Sequence, residues 1–188
     1  MKKISMLSAL VLVLTSCSSF SNKMIADDLS AITKERVRAI DGEYEFNGYE
    51  HIHAGNKKSM ETRGFGEMLD IKNPKIKDCD KVIIQSKALD KRKTYELEFK
   101  LMKNDSLKYS FKHRGTLKNG LIVLNNYTSR CHGIPFLLGG CQSFQSRIGL
   151  TRQKNLLIQD YYDNSGAALF ILWAGYTINY AEKYQKIQ

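Results

Sequence analysis

The sequence predicts an all-β fold, with a single antiparallel domain behind a short removable segment at the N-terminus. From residue 41 onward apolar and polar residues mostly alternate, as they do in strands that bury one face. Short turns rich in Gly, Asn and Asp separate these runs, which is typical of antiparallel neighbours. The chain has 188 residues, of which 43% are hydrophobic and 26% are charged, so its composition is that of one ordinary globular domain.

The removable segment is residues 1–16. Lys2 and Lys3 are followed by an apolar run that ends at Leu14 and by small residues before Cys17. A secretory signal peptide has these three parts, and the apolar run is too short to be a membrane span. The predicted organisation is a signal peptide over residues 1–16, a polar tether over residues 17–23 and one barrel domain over residues 24–188.

The end of this segment, Leu14-Thr15-Ser16-Cys17, resembles the lipobox of bacterial lipoproteins. The resemblance implies that Cys17 is lipidated and holds the protein in the cell envelope, with the lipid bilayer as its partner. By resemblance to bacterial sorting rules, Ser rather than Asp at position 18 favours the outer membrane, facing the periplasm. An ordinary signal peptide with a chance cysteine is the alternative.

The residues that follow the tether predict one amphipathic helix. Between residues 24 and 40 the apolar residues recur at spacings of three to five, which fits one helical face. These residues are Ile25, Leu29, Ile32, Val37 and Ile40. Acidic residues lie near the start of the segment and basic residues near its end, as the helix dipole favours. We expect the helix to pack on the domain; a position on the membrane surface is the alternative.

Nine stretches have the pattern of β-strands. The clearest is residues 94–102, which places Tyr95 and Phe99 on one face and charged residues on the other. A turn connects it to a strand over residues 107–111, so the two form a hairpin. The remaining predicted strands are residues 43–53, 60–71, 81–86, 121–127, 143–151, 155–162 and 167–174. A turn over residues 163–166 would make the last two strands a second hairpin.

A barrel and a sandwich both accommodate this number of strands. The barrel is favoured because it leaves no exposed edge and makes sequential strands neighbours. At the start of the first strand, Gly42-Glu43-Tyr44 resembles the Gly-x-Trp element of lipocalins, with Tyr44 in the place of the Trp. The resemblance implies a lipocalin-like barrel that is closed near Gly42 and Tyr44 and is open for a ligand at its other end.

The sequence carries none of the motifs that would identify an enzyme or a cofactor site. It has no Gly-x-Ser-x-Gly elbow, no His-Glu-x-x-His pair and no glycine-rich phosphate loop. His51 and His53 would face the same side of a strand and could bind a metal ion, although a surface pair is the simpler interpretation. We therefore predict no catalytic residues, no cofactor and no metal site, and we expect that the protein is not an enzyme.

Three cysteines remain once Cys17 is lipidated. Cys131 and Cys141 bracket a short stretch whose glycines and proline let the chain turn back, so we predict a disulfide between them. Cys131 beside His132 could instead be a thiolate nucleophile, but an exported protein favours the disulfide. Cys79 is then buried or free.

Aromatic side chains on the inward faces of the strands are the basis of the functional prediction. We expect the domain to bind a hydrophobic or amphiphilic small molecule inside a barrel. The predicted ligand-binding residues are Tyr44, Tyr95, Phe99, Tyr109, Phe111 and Trp173. The alternative is a structural or interaction protein with a filled interior, such as an envelope assembly factor or an inhibitor. An enzyme whose site is assembled from distant residues ranks third.

The net charge of the chain is +10, which is compatible with anionic partners such as lipid head groups or acidic polysaccharide. The basic residues are scattered over predicted turns and strand ends, so solvated loops are the simpler explanation for most of this charge. We expect no nucleic acid partner, because an exported, lipid-anchored protein seldom meets one.

Overall fold

The structure is a computed structural model that describes residues 20–53, 55, 57–89, 93–134, 138–168 and 172–187. Within these residues the chain forms one antiparallel sheet with few helical turns, so the predicted all-β class is confirmed. The predicted signal peptide and Cys17 lie outside the described residues. No helix in the described part of the chain is long and apolar enough to cross a membrane.

Twelve strands make up the sheet. They are β1 (Leu29–Ser30), β2 (Gly42–Glu45), β3 (Glu50–Ile52), β4 (Lys58–Ser59), β5 (Lys81–Ala88), β6 (Thr94–Lys103), β7 (Ser106–Lys118), β8 (Leu121–Leu124), β9 (Thr128–Ile134), β10 (Leu138–Thr151), β11 (Leu156–Ala168) and β12 (Leu172–Tyr184). The helix α1 is Phe65–Met68, and 3-10 helices cover Asn22–Met24, Lys34–Ile40 and Pro74–Ile76.

The order of the strands in the sheet is β2-β5-β6-β7-β8-β10-β11-β12-β3-β4, and β1 and β9 also pair with β10. This path begins at β2 and ends at β4, so the strand ladder is not closed into a barrel. Two backbone hydrogen bonds join β2 to the residues after β12. The amide of Glu45 donates to the carbonyl of Gln185 (2.9 Å), and the amide of Ile187 donates to the carbonyl of Glu43 (2.8 Å).

One face of the sheet encloses the main hydrophobic core. Every second residue of β6 from Tyr95 to Leu101 lies on this face and is at most 5% exposed, as the alternation predicts. Residues outside the strands fill the remaining space: Phe65 of α1 is fully buried, and its ring lies 5.6 Å from that of Phe99 and 5.7 Å from that of Tyr184. Side chains therefore fill the interior.

The hairpin predicted between β6 and β7 is confirmed. Phe99 pairs in register with Phe111, and Lys103 pairs with Ser106 at the end of the hairpin. Asn104 and Asp105 form the turn with φ angles of 47° and 60°. This left-handed conformation suits the twist of a two-residue hairpin, and Asn and Asp tolerate it better than most residues.

The single helix predicted over residues 24–40 is wrong. The segment consists of 3-10 turns and the short strand β1, which pairs with the end of β10. Its apolar residues do not share one face because they serve two clusters. Ile25 packs with Leu157 on the outer face of the sheet, whereas Ile32 and Val37 belong to the main core. One continuous helix could not reach both sides of the sheet.

Two of the predicted strands in the first half of the chain also differ. Residues 43–53 form two strands, because β2 pairs with β5 whereas β3 pairs with β12. Residues 60–71 contain α1 in place of a strand. The buried residues Phe65, Met68 and Leu69 have the spacing of a helical face, and over so short a segment this spacing resembles strand alternation.

The second hairpin does not turn where the sequence predicts. Residues 163–166 lie in the middle of β11 and pair with β10 on one side and with β12 on the other. Hydrogen bonds to two neighbours outweigh the turn propensity of Asn164 and Gly166. The connection instead falls between β11 and β12, within the apolar run predicted as a strand, and residues 169–171 lie outside the described residues.

Four strands extend beyond the core and form what we call the arm. The arm is residues 128–134, 138–144, 162–168 and 172–178, in which β9 to β12 pair side by side. None of the described core residues comes from these ranges. The predicted disulfide lies here: Cys131 and Cys141 are register partners and are bonded, which confirms the pairing, and Cys79 is free and buried.

Removing the disulfide should loosen β9, because β10 is the only strand with which it pairs in the described sheet. The closed loop is short, so the chain-entropy account allows a loss of about 3 kcal/mol or less in the free energy of unfolding. Urea unfolding of the double variant Cys131→Ser/Cys141→Ser, compared with wild type with and without reductant, measures this loss. Hydrogen exchange should show faster exchange in β9 while the β6 amides stay protected; equal loosening of β6 would contradict a local role.

Candidate functional site

The sheet opens between β7 and β9. β7 pairs with β8 along residues 115–118, and the last backbone bond on this edge runs from the amide of Asn125 to the carbonyl of Arg114 (2.7 Å). At Asn126 the side chain takes over the bonding: Oδ1 accepts from the amide of Ser146 (3.0 Å), and Nδ2 donates to Oγ of Ser146 (2.9 Å). Beyond this residue β9 follows β10 and β7 follows β6, so the two edges diverge.

The space between the diverging edges is a groove with a volume of about 560 Å³, which we call the β7 groove. Residues 69–73 form one side of it. The lining side chains combine aromatic rings with polar and charged groups: Leu69, Asp70, Ile71, Lys72, Asn73, Tyr109, Phe111, Lys112, His113, Asn125, Asn126, Tyr127, Thr128 and Phe144. A site of this size and composition is suited to a small molecule.

A second cavity of about 330 Å³, the arm pocket, lies against the inner face of the arm. It shares Asp70, Lys72, Thr128 and Phe144 with the β7 groove. Its other lining residues are Glu67, Arg130, Gln142, Ser143, Tyr162 and Tyr180. The shared residues make the two cavities adjoining parts of one site.

The structure separates the predicted ligand-binding residues into two groups. Tyr109 and Phe111 line the β7 groove. Phe99 stacks behind Phe111 with ring centroids 4.9 Å apart and is fully buried. Tyr44 and Tyr95 also lie in the core, and the hydroxyl of Tyr44 donates to the carbonyl of Ile40 (2.8 Å). The side chain of Trp173 lies outside the described residues.

Sequence reasoning missed the aromatic side chains that the later strands contribute. Phe144, Tyr162 and Tyr180 line the arm pocket, and Tyr176 lies beside Tyr162 with ring centroids 6.3 Å apart. The signal was present: residues 176–180 alternate, with Tyr176, Ile178 and Tyr180 on one face. It was missed because no strand was predicted after residue 174.

Charged side chains of both signs line the site: Lys72, Lys112 and Arg130 are basic, and Glu67 and Asp70 are acidic. Lys72 pairs with Asp70 at 3.7 Å, and Lys112 pairs with Glu96 at 3.1 Å, both at exposed positions where such pairs contribute little. Arg130 has no ion pair within the described residues and lines the arm pocket. An anionic group of a ligand would find a free guanidinium there.

Behind the arm pocket lies a buried polar cluster formed by His51, Arg63, Asp160, Tyr180 and Glu182. Nδ1 of His51 lies 2.5 Å from Oε2 of Glu182, and both side chains are almost completely buried. The guanidinium of Arg63 lies 4.5 Å from the centre of the Tyr180 ring. Asp160 pairs in register with Tyr180, and neither of its carboxylate oxygens has a hydrogen-bond partner within the described residues.

Burial sets the protonation states in this cluster. It raises the pKa of Glu182 to about 8 and lowers the pKa of His51 to about 4, the latter with help from Arg63 and His53. It also raises the pKa of Asp160 well above its ordinary value. Both shifts favour the neutral forms of the pair, in which a protonated Glu182 carboxyl donates a hydrogen bond to Nδ1 of His51.

The cluster is not arranged as a metal centre. No group of three or more His, Cys, Asp or Glu side chains that could hold a metal ion occurs among the residues that the structure describes. His51 and His53 differ from the expected surface pair, because His53 is exposed whereas His51 is buried beside Glu182. What the cluster can do chemically is hold a proton inside the fold.

Comparison of this chain with known proteins identifies no relative. No protein-family model, no curated protein and no solved structure matches this chain. Its function therefore has to be inferred from the chemistry of the groove, the arm pocket and the polar cluster.

Glu182 should make the stability of the fold depend on pH. The folded protein keeps this proton up to about pH 8, whereas the unfolded chain loses it near pH 4.5, so the free energy of unfolding falls as the pH rises through this window. The lowered pKa of His51 acts in the opposite direction, but only below pH 6.5. Between pH 6.5 and 8 the Glu182 contribution should be a fall of about 2 kcal/mol.

The variant Glu182→Gln keeps a donor for His51 and should lose this part of the pH dependence, whereas the exposed control Glu61→Gln should keep it. Urea unfolding at a series of pH values measures the difference. An identical slope in wild type and Glu182→Gln would contradict the assignment.

Proposed function

We propose that the protein is an envelope lipoprotein that binds a hydrophobic or amphiphilic small molecule without catalysis, with the ligand in the β7 groove and the arm pocket. The observation that carries this proposal is an open site lined by half-buried aromatic rings beside an interior that is already full. Apolar surface that the fold leaves half exposed can be buried by an apolar ligand. Arg130 lines the arm pocket and has no ion pair within the described residues, so it favours a ligand with an anionic end.

The proposal includes a lipocalin-like barrel as the scaffold. The backbone bonds between β2 and the residues after β12, together with the bridge between Tyr44 and Lys186, support closure of the sheet at this point. The ligand would then lie where the wall of the barrel opens, between β7 and β9.

An interaction protein is the second candidate, and the filled interior is the observation that favours it. Phe65, Met68 and Phe99 are fully buried in the core, so little room remains there for a ligand. A protein with such a core would act through its surface, as an assembly factor or an inhibitor does.

The location in the envelope rests on the proposed lipid anchor at Cys17. The predicted tether, residues 17–23, is docked on the sheet from Phe20 onward: the Arg147 guanidinium lies 4.5 Å from the centre of the Phe20 ring. The amide of Ser21 donates to Oδ1 of Asn179 (2.8 Å). Only two residues separate Cys17 from Phe20, so an anchor there would hold the domain close to the bilayer.

The variant Cys17→Ala should yield a soluble or unprocessed protein, because acyl chains at one residue contribute about 0.8 kcal/mol per buried methylene group and no other feature anchors as firmly. Fractionation of cells after a high-salt wash measures the distribution. The control Cys131→Ser should remain with the membrane fraction. Retention of Cys17→Ala in that fraction would rule out lipidation at this cysteine.

The ligand proposal is tested with Phe144, which lines both cavities and lies outside the core. Phe144→Ala should weaken binding of a fatty acid about tenfold, since it removes most of one aromatic contact surface. Arg130→Gln should weaken binding of the fatty acid but not of its methyl ester. Met60→Ala, which changes an 83% exposed side chain outside both cavities, is the control.

Binding of the ligand is measured in two ways. One is native mass spectrometry of the protein purified without its signal peptide, and the other is the fluorescence of Trp173, the only Trp of the chain. No bound mass and no fluorescence change across a panel of fatty acids and lysophospholipids would leave the interaction protein as the better proposal.

A further inference from the structure

Within the part of the chain that the structure describes, strand β7 has a free edge on the side of the β7 groove. Its other edge pairs with β6, but on the groove side the pairing with β8 stops at Arg114. Backbone groups of alternate residues point to the same side of a strand, so the amides and carbonyls of Ser110 and Lys112 point into the groove as the carbonyl of Arg114 does. No backbone bond joins residues 69–76 to this edge within the described residues.

The two faces of this edge have different chemistry. Tyr109 and Phe111 lie on the inner face, half-buried, at the wall of the groove. Lys112 and Arg114 lie on the outer face and are exposed, as is Lys108, where a register irregularity ends the regular edge. Glu96 and Glu98 of β6 lie beside Arg114 and Lys112 on this outer face, and Lys112 pairs with Glu96 at 3.1 Å. An incoming strand would therefore meet aromatic rings on one side and, on the other, basic side chains of β7 that have acidic neighbours only on the β6 side.

We propose that the free edge of β7 accepts an extended segment of a partner protein, which adds to the sheet antiparallel to β7. The segment alternates apolar and acidic residues, with the apolar side chains against Tyr109 and Phe111 and the acidic ones against Lys108 and Lys112. Main-chain hydrogen bonds to Ser110 and Lys112 would hold the segment on the edge, and its alternation of apolar and acidic side chains would determine which segments bind. The edge from residue 108 to residue 113 takes a strand of about six residues.

Charge distinguishes this partner from two other occupants. A second copy of the chain, paired antiparallel about Ser110, would place Lys112 against Lys108, and like charges directly opposite each other destabilise a strand pair. Residues 1–19 of the chain itself contain two lysines and no acidic residue, so they have the wrong sign. The partner proposal goes beyond the small-molecule ligand and requires neither that ligand nor the lipid anchor.

The test uses a hexapeptide of alternating Glu and Val, blocked at both ends and labelled for fluorescence anisotropy. It should bind at least tenfold more tightly than the same peptide with Lys in place of Glu. A version methylated at the backbone nitrogens that would face β7 should lose at least tenfold in affinity, because it keeps the side chains but cannot donate to the edge. This probe leaves the protein unchanged, so no variant has to fold.

A protein variant provides the complementary test. Ser110→Pro removes the amide on the groove side without removing a bond to β6. This variant should therefore bind the acidic peptide at least tenfold more weakly than wild type does. Ser110→Ala keeps the amide and should bind as wild type does. In hydrogen exchange, the amides of Ser110 and Lys112 should become protected when the acidic peptide is added.

Three results would overturn the inference. They are equal binding of the methylated and unmethylated peptides, absence of binding by the acidic peptide, and a dimer of the free protein that Ser110→Pro dissociates. The last result would assign the edge to a second copy of the chain. Fatty-acid binding in the presence of any of these results would leave the proposed ligand intact, so the two proposals fail separately.

Discussion

Strand β10 is the element on which the rest of the structure depends. One of its edges pairs with β11 at every position from Leu138 to Leu150, whereas β1, β8 and β9 share the other. β8 and β9 would be one strand if the ladder continued through Asn126, but there the side-chain amide bonds to Ser146. The arm and the β7 groove follow from this break, because β9 stays with β10 while β7 stays with β6.

The filled core and the open groove both follow from the way the sheet buries its apolar residues. Strands β5 to β8 bury their large apolar residues against α1 and the 3-10 turns, so the interior is occupied by the protein itself. Where the sheet divides, the described residues cover the inner faces of β7 and the arm only in part, with residues 69–73 along one side. Aromatic residues such as Phe111, Phe144 and Tyr162 stay half exposed there, and this is the arrangement that binding sites use.

The buried polar cluster lies where the core meets the arm, and it carries a free-energy cost. One oxygen of Glu182 and both oxygens of Asp160 have no hydrogen-bond partner within the described residues, although both side chains are buried. An ionised carboxyl group in such a place is disfavoured, so burial raises the pKa of both carboxyl groups. The packing of the surrounding core, which includes Ile158 and Tyr184, holds the cluster in place.

Local patterns in the sequence determined the all-β class, the β6–β7 hairpin and the Cys131–Cys141 bridge. Each depends on residues close together in the chain: the alternation of a strand with one buried face, a two-residue turn, or two cysteines around a bend. The closure of the sheet and the lipid anchor stay predictions. Of the proposed ligand residues, Tyr109 and Phe111 could be located from alternation alone. Alternation places both aromatic side chains on the inner face of their strand, where they pack in the core or line the groove.

Only the tertiary structure decided the rest, because it depends on contacts between residues far apart in sequence. The segment 24–40 has helical spacing, but two clusters on opposite faces of the sheet divide it. The turn residues at 163–166 remain in a strand because two neighbouring strands bond to them. His51 is buried because Glu182, which is 131 residues away in the chain, lies opposite it on β12. Local propensity is weaker than the hydrogen bonds and burial that such distant partners supply, so the groove, the arm and the polar cluster could not be predicted from the sequence alone.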